Sequence, residues 1–272
     1  LPEASARRAT GDWRVLARGT DCHPALKGRV PQSNVSDITN LKSIKCISRD
    51  EDGDWHIGAL TTWTDLIEED LPSSFDGLKL SAREVGSVQI QNRATVVGNI
   101  CNASPAADGV PPLLTLGARV KIGSMAGERR MPLRDFIQGN RKTALKPGEI
   151  VIGVVLPANS TSGVSSFLTL GARKYLVISI SMVASRIHVS NGCISDAAIA
   201  VGSCSLVAQR LLDLESLIIG KEATSDVVDL IKEDHFKKLA AIEDVRETKD
   251  YRMHAAKEMV ARALTQTLEA TI

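Results

Sequence analysis

Two glycine-bearing bends, Ala17-Arg18-Gly19-Thr20-Asp21 and Thr95-Val96-Val97-Gly98-Asn99, carry the residue types most suited to holding a ligand. Each sets a small residue, which lets backbone N–H groups approach closely, beside hydroxyl or amide side chains. Several N–H donors converging on negative oxygens is what a diphosphate requires. The second bend runs on into Ser104-Pro105-Ala106-Ala107-Asp108, and the Asp108 carboxylate can accept hydrogen bonds from hydroxyls farther along the same ligand. Taken singly, each bend is ordinary: Gly-Thr-Asp ends many strands, Asn99 and Ser104 can satisfy local backbone, and Asp108 can cap a helix over 109–115. The whole segment 92–118 is less ordinary. It holds three prolines and three glycines and follows neither the helix nor the strand period. A compact domain seldom leaves so long a stretch irregular without a function for it.

Other chemistries find little support. The dinucleotide fingerprint GxGxxG, the phosphate loop GxxxxGK[ST] and the nucleophile elbow GxSxG do not occur. Cys22 and His23 are neighbours, but adjacent side chains on a strand or turn diverge, so Cys22 reads as a small buried filler. The five cysteines are scattered with no CxxC, and the five histidines are equally dispersed. That pattern suits a reducing compartment and offers no local zinc or iron–sulfur site. The 272 residues carry 33 basic and 32 acidic side chains, which argues against nucleic acid or an anionic membrane as partner. No apolar run reaches the roughly 20 residues of a membrane span, and LPEASARRATGDW lacks the apolar core of a secretory signal. A cytoplasmic protein is expected.

The elements that must position the bends follow from period and punctuation. Residues 13–19 read as a buried strand entering the first bend, and 33–48 as a polar stretch with a strand around Ile44–Ile47. The acidic cluster at Asp50–Asp54 around Gly53 reads as a solvated hairpin tip, followed by a strand over Trp55–Leu60. Thr62 and Asp65 form a capping pair for a helix reaching about Glu69. A second helix is expected over 76–88, with Leu78, Ala82 and Val85 on one face. Val120 and Ile122 alternate before a turn at Gly127, Ile150–Leu156 is an apolar strand, and Pro157–Gly163 is the best linker. Beyond it, Val177–Val189 alternates, Asn191-Gly192 signals a tight hairpin, and Ile194–Val201 returns. Two helical stretches close the chain, the last over Lys249–Leu268 with Met253, Ala256, Val260, Ala263 and Leu264 on its buried face. The last hundred residues are α+β.

With these residues in view, GSVQIQNRATVVGNICNASPAADGVPPLLTLGARV (86–120) resembles the flavin-binding signature of the FAD subunits of molybdenum hydroxylases, the carbon monoxide dehydrogenase medium subunits and xanthine dehydrogenase FAD domains. VLARGTD (15–21) resembles the first flavin turn and KTALKPGEIVIGVVLP (142–157) the strand closing the flavin domain. FLTLGARKYLVISISMVA (167–184) and IEDVRETKDYRMHAAKEMVARAL (242–264) resemble the start and closing helix of the C-terminal domain. Compared with that pattern the chain is expected to begin late, with a short first strand absent or removed.

The resemblance implies an α+β fold: a two-subdomain FAD-binding domain of the PCMH/vanillyl-alcohol-oxidase type (1–50 and 51–158), then an α+β C-terminal domain (163–272) with a small antiparallel sheet and helices. It implies that Ala17, Arg18, Gly19, Thr20, Asp21, Thr95, Val96, Val97, Gly98, Asn99 and the following Ser104 contact the diphosphate and its neighbourhood. Asp108 would bind cofactor hydroxyls, Val151 would touch FAD through backbone, and Lys174 or Tyr175 would approach the isoalloxazine. The implied role is electron transfer, from iron–sulfur centres of a [2Fe-2S] small subunit, beside a molybdopterin-containing large subunit, to NAD or another acceptor. No catalytic side chain is implied. Two positions depart from the family's paired glycines, Arg18 and Val97, so FAD binding is expected to be kept but weakened, with the Arg18 guanidinium able to replace lost amide contact by charge. A flavin-free scaffold subunit and a stand-alone flavin reductase are the alternatives.

Overall fold

The computed structural model describes residues 2–9, 11, 13–174, 176–240 and 242–271. The chain starts with α1 (Pro2–Ala9), β1 (Trp13–Leu16), α2 (Cys22–Leu26) and β2 (Asn34–Asp37). β1 and β2 pair in parallel, Trp13 opposite Asn34 through Leu16 opposite Asp37. A parallel pair needs a crossover, and α2 lies in it. The first strand is shorter than the 13–19 expected and only half-buried, with Arg14 exposed. The polar stretch hides β2, in which Ser36 alone is buried. Around Ile44 there is a single 3-10 turn, Lys42–Ile44, rather than a strand.

β3 (Ile47–Arg49) and β4 (Trp55–Gly58) form the expected hairpin, its acidic tip closed by Asp50 N–H donating to Asp54 O at 2.9 Å. α3 (Trp63–Glu68) opens on the capping box anticipated: Asp65 N–H donates to Thr62 Oγ1 at 3.1 Å and Thr62 N–H to Asp65 Oδ2 at 2.9 Å. The helix expected over 76–88 is two, α4 (Asp76–Glu84) and α5 (Val88–Gln91), broken at Gly86 with φ of 58°. The supposedly irregular 92–118 contains α6 (Val96–Asn102) and α7 (Val110–Thr115). Every residue of α7 is buried, and its two prolines sit in the first turn, where no amide acceptor is needed. β5 (Arg119–Ser124), β6 (Gly127–Pro132), α8 (Leu133–Phe136), β7 (Ile137–Gly139), β8 (Lys142–Thr143) and β9 (Ile150–Leu156) follow. The five-stranded sheet runs β3-β4-β9-β5-β6, with β9 central and antiparallel to both neighbours. All of β9 is buried, which is why its sequence is an unbroken apolar run. Trp63, Leu66, Phe75, Leu78, Ile100 and Leu113 are the fully buried core beside that sheet, each stabilising by roughly 1.5–3 kcal/mol.

Residues 157–163 are tied down rather than loose. Ala158 N–H donates to Asp54 Oδ1 at 2.9 Å and Ser160 Oγ to Leu116 O at 2.7 Å. β10 (Val164–Leu170), β11 (Ser181–Ser190), β12 (Cys193–Gly202) and β13 (Gln209–Arg210) then form an antiparallel meander. Alternation begins at Ser181, later than the Val177 expected. Asn191 and Gly192 both take left-handed φ, 52° and 76°, the requirement of a two-residue type I′ hairpin. α9 (Leu212–Ile218) and α10 (Lys249–Glu269) cover the meander. Ala256, Val260, Ala263 and Leu264 face it, with Met253 half-buried at the margin. The buried Arg186 of β11 binds this unit to the rest, donating to Thr115 O at 3.0 Å and Ser162 O at 2.9 Å while pairing with Asp196 at 2.6 Å.

Candidate functional site

A cleft of about 810 Å³ opens where the β1–β2 unit meets α3, α6 and the start of β9, a volume in the range of ligand sites. Both bends line it. The first leaves β1 at Leu16 and turns on Gly19, whose φ is 76°. Gly19 O accepts from His23 N–H at 2.9 Å, starting α2. A Cβ on Gly19 would lie 2.3 Å from the His23 ring, so a side chain there would have to displace that ring, and the left-handed conformation favours glycine in any case.

The second bend is not a turn but the start of α6. Thr95 is its N-cap and accepts from Gly98 N–H at 2.9 Å; a Cβ on Gly98 would come within 2.7 Å of that hydroxyl. Val96 N–H is held by Thr61 O and Asn99 N–H by Thr95 O, each at 3.1 Å. Three of the amides expected to face a ligand are therefore engaged within the protein. Val97 N–H, at the second helical position, has no acceptor one turn back.

Of the residues singled out from sequence, Ala17, Arg18, Gly19, Thr20, Asp21, Thr95, Val97, Gly98, Asn99 and Val151 line the cleft. Arg18 and Val97 form part of its wall and leave it open. Val96 points into the core instead. Ser104 also lies outside the lining, its Oγ accepting from Ala106 N–H at 3.2 Å. Asp108, too, is off the cleft wall: it neither caps α7 nor faces the bends, and accepts from Ser179 Oγ at 3.1 Å. Burial raises its carboxyl pKa to about 7. Lys174 is exposed on the loop after β10, and Tyr175 lies outside the described residues. Cys22 is a half-buried residue of the cleft wall at the start of α2, not a buried filler.

Sequence reading missed several members of the wall. Arg141, with φ of 58°, pairs with Asp21 at 2.7 Å across the mouth. Glu149 is bound on both oxygens by Arg129 at 2.7 Å, which holds its carboxyl below the usual range. Cys101 is pushed up to about 12 by burial. No local pattern marks these residues, because each matters only through partners remote in sequence.

Polar atoms in the wall test whether the cleft suits a flavin dinucleotide. Among the described residues, seven buried side-chain polar atoms lack a hydrogen-bond partner, and four of them belong to cleft residues: Arg8 Nε, Arg18 Nε, Trp63 Nε1 and Asn99 Oδ1. Leaving such an atom unpaired costs about 1–3 kcal/mol, so a long ligand with both donors and acceptors is what this wall fits.

Comparison with known proteins agrees. Residues 3–159 match the FAD binding domain in molybdopterin dehydrogenase, and 167–267 the CO dehydrogenase flavoprotein C-terminal domain. The chain is 28% identical over 260 residues to the xanthine dehydrogenase FAD-binding subunit of Escherichia coli O157:H7, spanning 94% of this chain and 89% of that one. It is 32% identical over 221 residues to the nicotinate dehydrogenase FAD-subunit of Eubacterium barkeri, spanning 79% and 74%. A structure of carbon monoxide dehydrogenase from Hydrogenophaga pseudoflava superposes with a TM-score of 0.90 at 25% identity, over 99% of this chain and 95% of that one. With both bends on one cleft and both halves matched, the chain belongs to the FAD-binding family of the molybdopterin dehydrogenases, an oxidoreductase flavoprotein whose cofactor is FAD.

Proposed function

We propose that this chain is the FAD-carrying electron-transfer subunit of a molybdenum hydroxylase, receiving electrons from the iron–sulfur centres of a [2Fe-2S] partner and passing them to NAD or another acceptor. The observation that carries the reading is the meeting of two bends, remote in sequence, on one cleft. Bound FAD supplies the ability to take electrons singly and give them up as a pair. The protein's own work is placement. Ala17–Asp21 and Thr95–Asn99 would hold the diphosphate, chiefly through the first bend and Val97 N–H, and Val151 would meet the cofactor through its backbone. Asp108 would serve cofactor hydroxyls only by sharing its carboxylate with Ser179. Lys174 or Tyr175 would approach the ring system from the C-terminal unit.

The names of relatives support assembly with other subunits: one is a subunit of a 6-hydroxypseudooxynicotine dehydrogenase complex. The molybdopterin-containing large subunit and the [2Fe-2S] small subunit are the partners of this reading. The proposed domain plan is 1–50, 51–158 and 163–272, although β3 at 47–49 pairs into the sheet of the second unit. A cytoplasmic setting is supported by five free cysteines, and no helix among the described residues is long and apolar enough to cross a membrane.

Flavin and metal analysis of the native assembly tests the proposal. The expected result is FAD, absorbing at about 450 nm as oxidised flavins do, together with molybdenum and iron. A colourless chain that takes up no added FAD would replace it with a scaffold role. A flavin-loaded homodimer free of molybdenum and iron would replace it with a stand-alone reductase.

A further inference from the structure

Resting on the reading that the cleft holds FAD, we propose that Arg8 and Arg18 form a two-guanidinium clamp on the diphosphate, supplying by charge the contact that glycine amides would otherwise make. Arg8 projects from α1 and Arg18 from the first bend, and both line the cleft. The Nε of each is buried with no acceptor among the described residues. A guanidinium keeps its charge in a protein, and a buried N–H donor without an acceptor is costly.

Among the described residues, the acidic groups near the two arginines are committed elsewhere. Asp21 is paired with Arg141 and Glu149 with Arg129, each at 2.7 Å. Asp37, close enough to feel the charge of Arg18, is held mainly by its bonds from Thr39 and lies outside the cleft lining. Beside Arg8, the Cys101 thiol is buried and stays protonated. Among the described residues, Arg8 Nη1 donates to Trp13 O at 3.4 Å. Among the described residues of the wall, four arginines, Arg8, Arg14, Arg18 and Arg141, thus face two carboxylates, an excess of positive charge that the paired negative charges of a diphosphate match. The planar fork of the guanidinium suits phosphate oxygens.

The test uses the full chain stripped of flavin and titrated with FAD, with ADP as competitor, at low and high ionic strength. Arg8→Gln and Arg18→Gln are each expected to weaken FAD and ADP together by about 10- to 100-fold. Arg18→Lys should recover part of that loss, and the double Gln variant should lose most of the salt dependence. Circular dichroism checks that each variant is folded. Folded Gln variants with wild-type FAD affinity would overturn the clamp and leave the FAD reading standing. So would FAD weakening without ADP weakening, ADP that does not compete on the wild-type chain, or wild-type FAD affinity indifferent to salt. A wild-type chain that takes up no FAD would remove both.

Discussion

At residues 17–21 the chain leaves a half-buried two-stranded pair, turns on the left-handed Gly19, and enters a five-residue helix with no side-chain cap and no buried residue. At 95–99 it enters a helix whose N-cap is satisfied and whose Val96, Val97 and Ile100 are packed in the main core. The first bend is shaped by one backbone conformation and by what it faces. The second is shaped by packing, and most of its amides are already used within the protein. Two segments that look alike as sequence therefore line one cleft on different terms, the first by its backbone conformation, the second as a rigid wall.

The largest effect that would sharpen this contrast is expected at Gly19. Gly19→Val meets the His23 ring and forces a β-branched residue to φ of 76°, a strain of about 1–3 kcal/mol before the clash is counted. FAD uptake should be lost and the melting temperature lowered; normal FAD content would show that the bend's conformation does not matter.

Asp108 comes next, since it ties the run after the second bend to the C-terminal unit. Its folded pKa of about 7 stands above the ordinary 3.8, so the folded state holds a proton that the unfolded chain releases. Stability therefore falls as pH rises from about 4 to about 7. Asp108→Asn should gain on wild type steadily across that window, the gain levelling off above about pH 7. Denaturant titrations at several pH values check this, and a difference that is flat with pH would refute it.

A smaller effect is expected from Thr95→Ala, which removes the cap of α6 and should cost about 1 kcal/mol, with Thr95→Ser restoring it. The same measurement on flavin-free protein should give the same cost, because this bend is held by the protein itself. Smallest of all is Asp21→Asn. The ion pair with Arg141 is half-exposed on both sides, so less than about 0.5 kcal/mol should be lost. A loss above about 1 kcal/mol would mean that the first bend leans on this bridge.

Much of the framework was legible wherever a local rule acted alone. The Thr62–Asp65 box, the Asp50–Asp54 tip, the Asn191-Gly192 hairpin, the apolar β9 and the stripe of α10 each follow from neighbours in sequence. α6 and α7 were not legible, because a helix buried on nearly every side shows no amphipathic stripe, and Pro111 and Pro112 look like breakers until their place in a first turn is known. β2 stayed hidden because its residues are mostly polar and only Ser36 is buried. Arg8 and Arg141 carried no local signal at all.

The amino-acid order by itself determined two places where small residues let the chain bend, at Gly19 and at Gly98. Only the tertiary structure decided that these two places face one cleft, that Arg8 joins them from α1, and that Val96, Ser104 and Asp108 turn elsewhere. The physical reason is range. Conformational preference and capping act over three or four residues, whereas convergence on a ligand is set by how the β1–β2 unit packs against α6 and β9, a contact between segments that no local rule relates.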